Sequence, residues 1–292
     1  MRRDPPAALS IFRVPNALTA AADAAAGFFA ASAATGSPGA GRVAAVLGAS
    51  VLLYAGGVAL NDVADARADR VHRPERPVPS GALSLAAAAA LAAAALASGL
   101  ALAAAAGAAP FRASLVLLAA ILAYDLALKR FGFLGALALG ACRALNMGMG
   151  AALATGEAPA WPSAVAAAFG SYVVALALVG LGEERGLPSV SFRAGVAAMV
   201  LLAAAAATRG PSPVLGLAAL VPFIAPVGLK AVRPGLMRAS PGDVRALVRD
   251  GVLAIPGIDC AILVAHARFG AAAAVFVLFL AARILARRLP VS

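Results

Sequence analysis

The chain is poor in charged, aromatic and metal-ligating residues for its length. Only 13% of its 292 residues are charged and 5% are aromatic, whereas about a quarter of the residues in a typical soluble domain are charged. The two cysteines, Cys142 and Cys260, fall inside apolar runs, and no histidine stands near them at metal-ligand spacing. These scarcities argue against an ordinary soluble domain, a disulfide scaffold and a Cys/His metal site.

Apolar residues dominate instead. They make up 63% of the chain, and the mean hydropathy is +0.93. Apolar runs of roughly 18 to 24 residues recur along the whole length, and about 20 residues of helix cross the hydrocarbon of a bilayer. Much of the apolar content is alanine, a strong helix former whose small side chain allows helices to pack closely in lipid. The composition therefore predicts an all-α, polytopic membrane helical bundle.

The formal net charge of +11 raises the question of nucleic-acid binding. The basic residues, however, lie in short loops between apolar runs rather than on one soluble domain, so we expect no nucleic-acid partner. The N-terminal segment MRRDPPAALSIFRVPN has no short apolar region followed by a small-residue cleavage site. We therefore expect the first apolar run to be retained as a span. The sequence gives no reason to infer an obligate protein partner.

The apolar runs and the Pro and Gly residues between them predict ten helices in a single integral-membrane domain covering residues 1–292. A count of nine is nearly as well supported, because Pro222 and Pro226 interrupt the eighth run and only residues 266–270 separate the last two. The predicted helices cover residues 14–34, 42–60, 83–106, 111–128, 132–154, 161–182, 192–208, 212–229, 247–266 and 270–288.

One loop is unusually rich in charge. The stretch NDVADARADRVHRPERPVPSG, residues 61–81, holds four of the thirteen carboxylates of the chain. If the second helix continues into it, Asp62, Asp65 and Asp69 share one face, three or four residues apart. Mg²⁺ binds such carboxylate oxygens together with substrate phosphates. Arg73 and Arg76 come next in the sequence, each beside a proline, and their guanidinium groups are suited to binding phosphate oxygens. The spacing favours a Mg²⁺–diphosphate site over the alternative, a merely solvated loop.

The same stretch carries a resemblance to a known family. N-D-x-x-D-x-x-x-D followed by R-P-x-R-P-x-P-S-G resembles the first aspartate-rich motif of the UbiA superfamily of intramembrane prenyltransferases, which includes 4-hydroxybenzoate polyprenyltransferases. Residues 124–130, YDLALKR, are similar to the family's Y-[ST]-x-x-L-K-R segment, and Asn16 matches a family position that lines the site. The likeness extends in helix order over residues 11–290, and its specificity rests on the first motif.

The resemblance implies an integral-membrane prenyltransferase that moves an isoprenoid group from a prenyl diphosphate to an acceptor, with Mg²⁺ as cofactor. Mg²⁺ and basic side chains would stabilise charge on the departing diphosphate, and an apolar cavity would hold the isoprenoid and exclude water. The implied catalytic residues are Asp62, Asp65, Tyr124, Lys129 and Arg130. The implied diphosphate-binding residues are Asn16, Asn61, Arg73, Arg76, Lys129, Arg130 and Asn146. The implied metal ligands are Asp62, Asp65, Asp69, Glu183 and Glu184.

The second motif of the family is weaker here. Where the family carries D-x-x-x-D after the sixth helix, this chain has Gly-Leu-Gly-Glu-Glu-Arg-Gly at residues 180–186. Glu183 and Glu184 are adjacent, so they do not share a helical face, and Arg185 could pair with one of them. This departure leaves open whether one or two metal ions bind. It also leaves an alternative function, a non-catalytic UbiA-like protein that binds or transports a lipid diphosphate.

The basic residues predict the orientation of the chain. With ten spans, loops on the side of the N-terminus hold 19 of the 24 Lys and Arg residues, loops on the other side hold four, and Arg143 falls inside the fifth span. An excess of this kind in short loops marks the cytoplasmic side. We therefore expect a multi-pass protein of the cell (inner) membrane, with both termini and the active-site loops in the cytoplasm.

Four polar residues fall within predicted spans: Asp23, Arg143, Asn146 and Asp259. Ionisable groups at membrane depth are costly and are candidates for function. The alternative is a structural pair, such as Arg143 with Asp23 or with Asp259. We favour a structural pair for Arg143 and Asp259, and both interpretations remain open for Asp23 and Asn146.

Overall fold

The computed structural model describes residues 10–32, 38–157, 163–232 and 238–286. Within these residues the chain forms ten α-helices, in agreement with the predicted all-α class. The helices are α1 (Val14–Ala31), α2 (Ala40–His72), α3 (Leu85–Ala106), α4 (Ala108–Leu126), α5 (Gly132–Thr155), α6 (Ala164–Gly180), α7 (Ser189–Ala207), α8 (Pro213–Gly228), α9 (Pro241–Ala265) and α10 (Phe269–Ala286).

Short elements join some of the helices. A single 3₁₀ turn, Leu128–Arg130, follows α4, and another, Leu229–Val232, follows α8. Two strands of two residues each, β1 (Leu187–Pro188) and β2 (Arg238–Ala239), pair antiparallel with Leu187 opposite Ala239. The strand pair is absent from the sequence prediction, and it links the loop after α6 to the segment before α9.

The helices suit a lipid environment. Six described helices are long and apolar enough to cross a membrane, namely α2, α3, α4, α5, α7 and α8 extended to Ala231. Large apolar side chains such as Val116, Leu201 and Val277 lie 55%, 69% and 62% exposed on the outside of the bundle. Large apolar side chains exposed on several of the apolar helices indicate a surface that meets lipid rather than water. The bundle is therefore a polytopic membrane protein.

Helix α2 is longer than the sequence prediction, which ended it at residue 60. Its 33 residues span about 50 Å at about 1.5 Å per residue, whereas the hydrocarbon of a bilayer is about 30 Å thick. Apart from Arg42 in the first turn, the charged residues of α2 occupy its C-terminal third, so they extend past the apolar part rather than into it. The helical continuation on which the shared carboxylate face depends is thus confirmed.

Helix α9 begins at Pro241, six residues before its predicted start. Ser240 Oγ accepts a hydrogen bond from the Asp243 backbone N–H at 3.2 Å, and Asp243 Oδ2 accepts one from the Ser240 N–H at 3.0 Å. This reciprocal capping box satisfies two backbone donors at the helix start, and Pro241 suits the first turn. Apolar periodicity alone does not detect this start, because the first turn is polar.

Some predicted features fall outside the described residues. The predicted end of the first helix (33–34), the start of the sixth (161–162) and the end of the last (287–288) are among them. Five of the basic residues used to predict the orientation also lie outside the described residues: Arg2, Arg3, Arg233, Arg287 and Arg288.

Helix α1 lies at the centre of the bundle, in contact with α2, α5, α9 and α10. A Cβ at Gly27 would fall on the Met147 carbonyl of α5, and a Cβ at Gly150 would fall on the Ala24 carbonyl of α1. These two glycines therefore allow the backbones of α1 and α5 to touch, as small residues do in membrane helix pairs. The buried apolar side chains form two large clusters that both include residues of α1 and α5.

Candidate active site

The C-terminal part of α2 carries a row of carboxylates on its inner face. Asp62 and Asp69 are 3% and 6% exposed, and the Asp65 side chain between them is 33% exposed. Arg67 and Arg70 lie on the outer side of the same turns and are exposed. The spacing of three and four residues is what places the acidic side chains on one face and the basic ones on the other.

The loop after α2 folds back over this row. Arg76 is 4% exposed and its Nη1 lies 2.7 Å from Asp69 Oδ2 and 3.3 Å from Asp62 Oδ1. Arg76 Nε is buried and has no hydrogen-bond partner among the described residues. Arg73, predicted to act with Arg76, is exposed and donates its backbone N–H to the Asp69 carbonyl at 2.8 Å. The two arginines therefore differ, since only Arg76 inserts its guanidinium among the carboxylates.

Two further cations reach the row from other loops. Arg13 Nη2 lies 2.9 Å from Asp62 Oδ1, and Lys129 Nζ lies 2.7 Å from Asp65 Oδ1. Arg13 caps the start of α1 with φ 42° and ψ 54°, a left-handed conformation that is uncommon for a residue with a side chain. Three carboxylates of one helix are thus balanced by cations from three separate segments.

The row lies beside a central cavity of about 310 Å³. Its polar end includes Arg13, Asn16, Asn61, Tyr124 and Asp125. The remaining wall is mostly apolar and is built by α2, α4, α5, α6 and α9. Representative apolar lining residues are Leu53, Ile121, Leu139, Val173, Leu176 and Ile255. The cavity can therefore hold an apolar group whose polar end meets the charged row.

Four predicted site residues, Asn16, Asn61, Tyr124 and Asn146, line this cavity. Asn61 Nδ2 donates to Asp125 Oδ1 at 2.8 Å, which joins α2 to the last turn of α4. Sequence reasoning omitted Arg13 and Asp125 from the site. Arg13 is adjacent to the Val-Pro-Asn segment that carries Asn16, and Asp125 stands within YDLALKR, so both lie inside stretches that the sequence analysis had already selected.

The other predicted residues lie further from the row. Arg130 is exposed, and its guanidinium carbon lies 5.2 Å from the centre of the Phe131 ring. Glu183 is partly buried and Glu184 is exposed, and neither lines the central cavity. The structure therefore brings Asp62, Asp65, Asp69, Arg76 and Lys129 together, and does not bring Arg73, Arg130 or the two glutamates into that group.

The interior polar residues form a separate network. Arg143 Nη1 lies 2.5 Å from Asp23 Oδ2, and Asn146 Nδ2 donates to the Ala20 carbonyl at 2.8 Å. Ser50 Oγ donates to Asn146 Oδ1 at 2.7 Å. Asp259 is fully buried beside Asp23. Of the two expected partners of Arg143, Asp23 is thus confirmed, and the network ties α1, α2 and α5 together. The structural pair expected for Asp259 is wrong, because among the described residues neither of its carboxylate oxygens has a hydrogen-bond partner.

The donor set of the row suits a hard divalent cation. The ion pairs of Asp62 and Asp65 all go to Oδ1, so Oδ2 of each carboxylate stays outside them. In the part of the chain that the structure describes, no three His, Cys, Asp or Glu side chains are close enough to hold a metal alone. Mg²⁺ commonly takes one or two carboxylates and completes its shell with water and substrate phosphates. The residues therefore fit Mg²⁺ bound together with a phosphate-bearing ligand.

The described helices form a membrane bundle in which an acidic helix end lies beside an apolar cavity. This arrangement defines a class of intramembrane protein that handles an apolar ligand with a polar head group. A family profile described as the UbiA prenyltransferase family matches residues 23–238. The chain belongs to this family.

Individual relatives support the same placement. A digeranylgeranylglyceryl phosphate synthase of Metallosphaera sedula is 36% identical over 96 residues, which is 33% of this chain and 34% of the relative. The corresponding enzyme of Sulfolobus acidocaldarius is 32% identical over 84 residues, 29% of this chain and 30% of the relative. The matches thus span about a third of the length of these curated relatives.

Solved structures extend the likeness over the whole bundle. A UbiA homologue from Archaeoglobus fulgidus bound to GPP and Mg²⁺ has a TM-score of 0.57 at 18% identity, covering 88% of this chain and 99% of that one. A structure of a digeranylgeranylglyceryl phosphate synthase has a TM-score of 0.56 at 16% identity, covering 89% and 98%. At these identities the likeness establishes the fold.

Proposed function

We propose that this protein is an integral-membrane prenyltransferase that transfers an isoprenoid group from a prenyl diphosphate to an acceptor. The observation that carries the proposal is the position of the charged row of α2, which meets a mostly apolar cavity of about 310 Å³ through Arg13, the partner of Asp62, and through the adjacent Asn61. Such a junction fits a molecule with a diphosphate at one end and a hydrocarbon chain at the other. The A. fulgidus homologue bound to GPP and Mg²⁺ supports this choice of ligand.

Different residues of the row would bind the metal ion and the phosphate groups. Asp62 and Asp65 would hold Mg²⁺, which supplies positive charge to a departing diphosphate when it is bound. Arg13, Arg76 and Lys129 would bind phosphate oxygens, and the unpaired Nε of Arg76 provides a buried donor for one of them. Asn16 and Asn61 would orient the head group by hydrogen bonds. The apolar wall would hold the isoprenoid and keep water from the cationic carbon.

The acceptor is proposed from the curated relatives. Their common name, digeranylgeranylglyceryl phosphate synthase, describes a product with two geranylgeranyl groups on glyceryl phosphate. We therefore propose glyceryl phosphate carrying one geranylgeranyl group as the first acceptor to test, with geranylgeranyl diphosphate as the donor. An aromatic acceptor such as 4-hydroxybenzoate is the second.

The decisive measurement is Mg²⁺-dependent release of diphosphate with formation of the prenylated acceptor by the purified full chain. We expect Asp62→Ala to lose at least about 100-fold in kcat/KM, because it removes charge stabilisation at the leaving group. Asp250→Asn is the matched control, since Asp250 pairs with Lys230 at 3.0 Å and does not line the cavity. Wild-type turnover by Asp62→Ala would refute the assignment of the site.

A second candidate function is a non-catalytic protein that binds or transports a lipid diphosphate. The loop after α6 favours it, because no described hydrogen bond or ion pair joins Glu183 or Glu184 to the charged row, whose cations come from other segments. Binding of geranylgeranyl diphosphate with Mg²⁺, but without diphosphate release for any acceptor in the panel, would support this function over transfer.

We also propose that the acidic end of α2 and both termini face the cytoplasm of a cell (inner) membrane. His72 and Arg112 are both exposed, at the end of α2 and near the start of α4. In a chain whose two cysteines are replaced by alanine, a cysteine at position 72 should react with an impermeant maleimide only from the cytoplasmic side. A cysteine at position 112 should react only from the other side, and the reverse result would contradict the orientation.

A further inference from the structure

We propose that Asp125 is a further catalytic residue, the base that takes the proton the acceptor loses during prenyl transfer. This inference rests on the proposed function. Asp125 is 4% exposed in the last turn of α4, and it is the acidic residue among the described residues that line the cavity. The family segment carries Ser or Thr at this position, so a carboxylate here is a feature of this chain.

The surroundings of Asp125 differ from those of the carboxylates in the charged row of α2. Asp62 and Asp69 each receive a guanidinium and Asp65 receives an ammonium group. Asp125 Oδ1 instead accepts a hydrogen bond from the neutral amide of Asn61 at 2.8 Å, and Lys129, four residues further along the chain, is paired with Asp65. A carboxylate held by an amide keeps its capacity to accept a proton, whereas one held by a guanidinium is stabilised as the anion.

The position matches the place where the proton is released. Asn61 is adjacent to Asp62 on α2, so the hydrogen bond from Asn61 fixes Asp125 next to the charged row and at the polar end of the cavity. The reacting carbon of a prenyl diphosphate must lie at the same junction, between the bound diphosphate and the apolar wall. An acceptor that attacks this carbon brings its own O–H or C–H within the same space.

The transfer step balances with Asp125 as the base. The bond between the prenyl carbon and the diphosphate oxygen breaks, and the diphosphate leaves with the electron pair. A new bond forms from the prenyl carbon to the oxygen or carbon of the acceptor, which gives its proton to a carboxylate oxygen of Asp125. Because the cavity is mostly apolar, a fixed base replaces the water that would otherwise take this proton, and such bases contribute about 10²- to 10⁴-fold in rate.

The test compares Asp125→Asn with Asp125→Glu, each as full-length protein with geranylgeranyl diphosphate and glyceryl phosphate carrying one geranylgeranyl group. The amide oxygen of Asn can still accept from Asn61, so a purely structural role survives this change. We expect Asp125→Asn to lose about 10²- to 10⁴-fold in kcat while binding of radiolabelled donor with Mg²⁺ stays within twofold. Asp125→Glu should recover part of the loss.

Chemical rescue gives an independent readout. In Asp125→Ala, added formate should restore part of the transfer rate, because it supplies a carboxylate in the space left by the side chain. Asp62→Ala should show no such rescue. Transfer by Asp125→Asn within threefold of wild type, or a parallel loss of donor binding, would overturn the role of Asp125 alone. Absence of transfer by the wild-type chain would overturn the proposed function, and the role of Asp125 with it.

Discussion

The charged row of α2 and the interior network of Asp23, Arg143, Asn146 and Ser50 use similar residues in opposite ways. In the row, three carboxylates receive cations from three loops, and Oδ2 of both Asp62 and Asp65 stays outside these ion pairs. In the network, Asn146 Nδ2 and Oδ1 and Ser50 Oγ bond to partners on neighbouring helices. The row can exchange its partners for a ligand, whereas the network mainly holds helices together.

Location explains the difference. The row stands past the apolar part of α2, its Asp65 side chain is 33% exposed, and its cations come from segments between helices. The network lies among helices, with Arg143 and Asn146 at the cavity wall and Asp23 and Ser50 fully buried, and a fully buried polar group that loses its partner is costly to leave unpaired. Perturbing the two regions should therefore affect different properties, namely turnover for the row and stability for the network.

Removal of divalent metal should have the largest effect. With EDTA in excess, we expect diphosphate release to fall to the background rate, because bound Mg²⁺ would supply positive charge that stabilises the departing diphosphate. Added Mg²⁺ should restore it. The unfolding temperature should change little in the absence of donor, since the row is already neutralised by Arg13, Arg76 and Lys129. Full activity in EDTA would remove the distinction between the two regions.

Replacement of Arg143 by Met should have the largest effect on stability. It leaves Asp23, which is fully buried, without its cation, and breaking a buried pair from one side costs about 3–5 kcal/mol. Lys230→Met is the control, because it breaks a partly exposed pair worth about 0–1 kcal/mol. Thermal or denaturant unfolding in detergent micelles provides the comparison. Equal losses in the two variants would contradict a structural role for the network.

Arg76 and Arg73 should differ in donor affinity. Hydrogen bonds to charged groups contribute about 1.5–3 kcal/mol, so Arg76→Gln should weaken the apparent donor affinity by roughly 10- to 150-fold. The exposed Arg73, changed to Gln, should weaken it by less than about threefold. Titration of geranylgeranyl diphosphate at fixed Mg²⁺ measures both. A larger effect at Arg73 would contradict this difference. It would favour the sequence motif, which assigns diphosphate binding to both arginines, over the arrangement seen in the structure.

Ser50→Ala should have the smallest effect. It removes the donor to Asn146 Oδ1 and to the Ala20 carbonyl, and a hydrogen bond of this kind contributes about 1 kcal/mol. We expect a small loss of unfolding free energy with unchanged kcat. A marked loss of kcat at unchanged stability would instead connect the network to catalysis through Asn146, which lines the cavity.

Much of this arrangement could be predicted from the sequence. The helix class follows from apolar runs, and the acidic face of α2 follows from spacings of three and four residues. Pairings over long separations could not be predicted in the same way. Arg13 and Asp62 are 49 positions apart, and only the packing of α1 against α2 brings them together. The burial of the Arg76 side chain and the exposure of the Arg73 side chain likewise depend on the path of the loop after α2.

The roles of single residues were harder to predict than the region. The similar family segment has Ser or Thr at position 125, so the motif gives no reason to assign a role to the Asp125 carboxylate. The diphosphate role predicted for Asn146 stays a prediction, since its amide is engaged with Ala20 and Ser50 while the residue also lines the cavity. The start of α9 was missed because its first turn is polar.

The hydrogen bonds of Arg42 and Arg268 change the charge that this protein presents to the membrane. Arg42 Nε donates to the Ala106 carbonyl at the end of α3, and Arg268 donates to the carbonyls of Phe29 and Ser32 at the end of α1. The C-terminal end of a helix carries about half a negative charge, which offsets part of each guanidinium. Lipid head groups beside these two helix ends therefore meet less positive charge than two unpaired guanidinium groups would present.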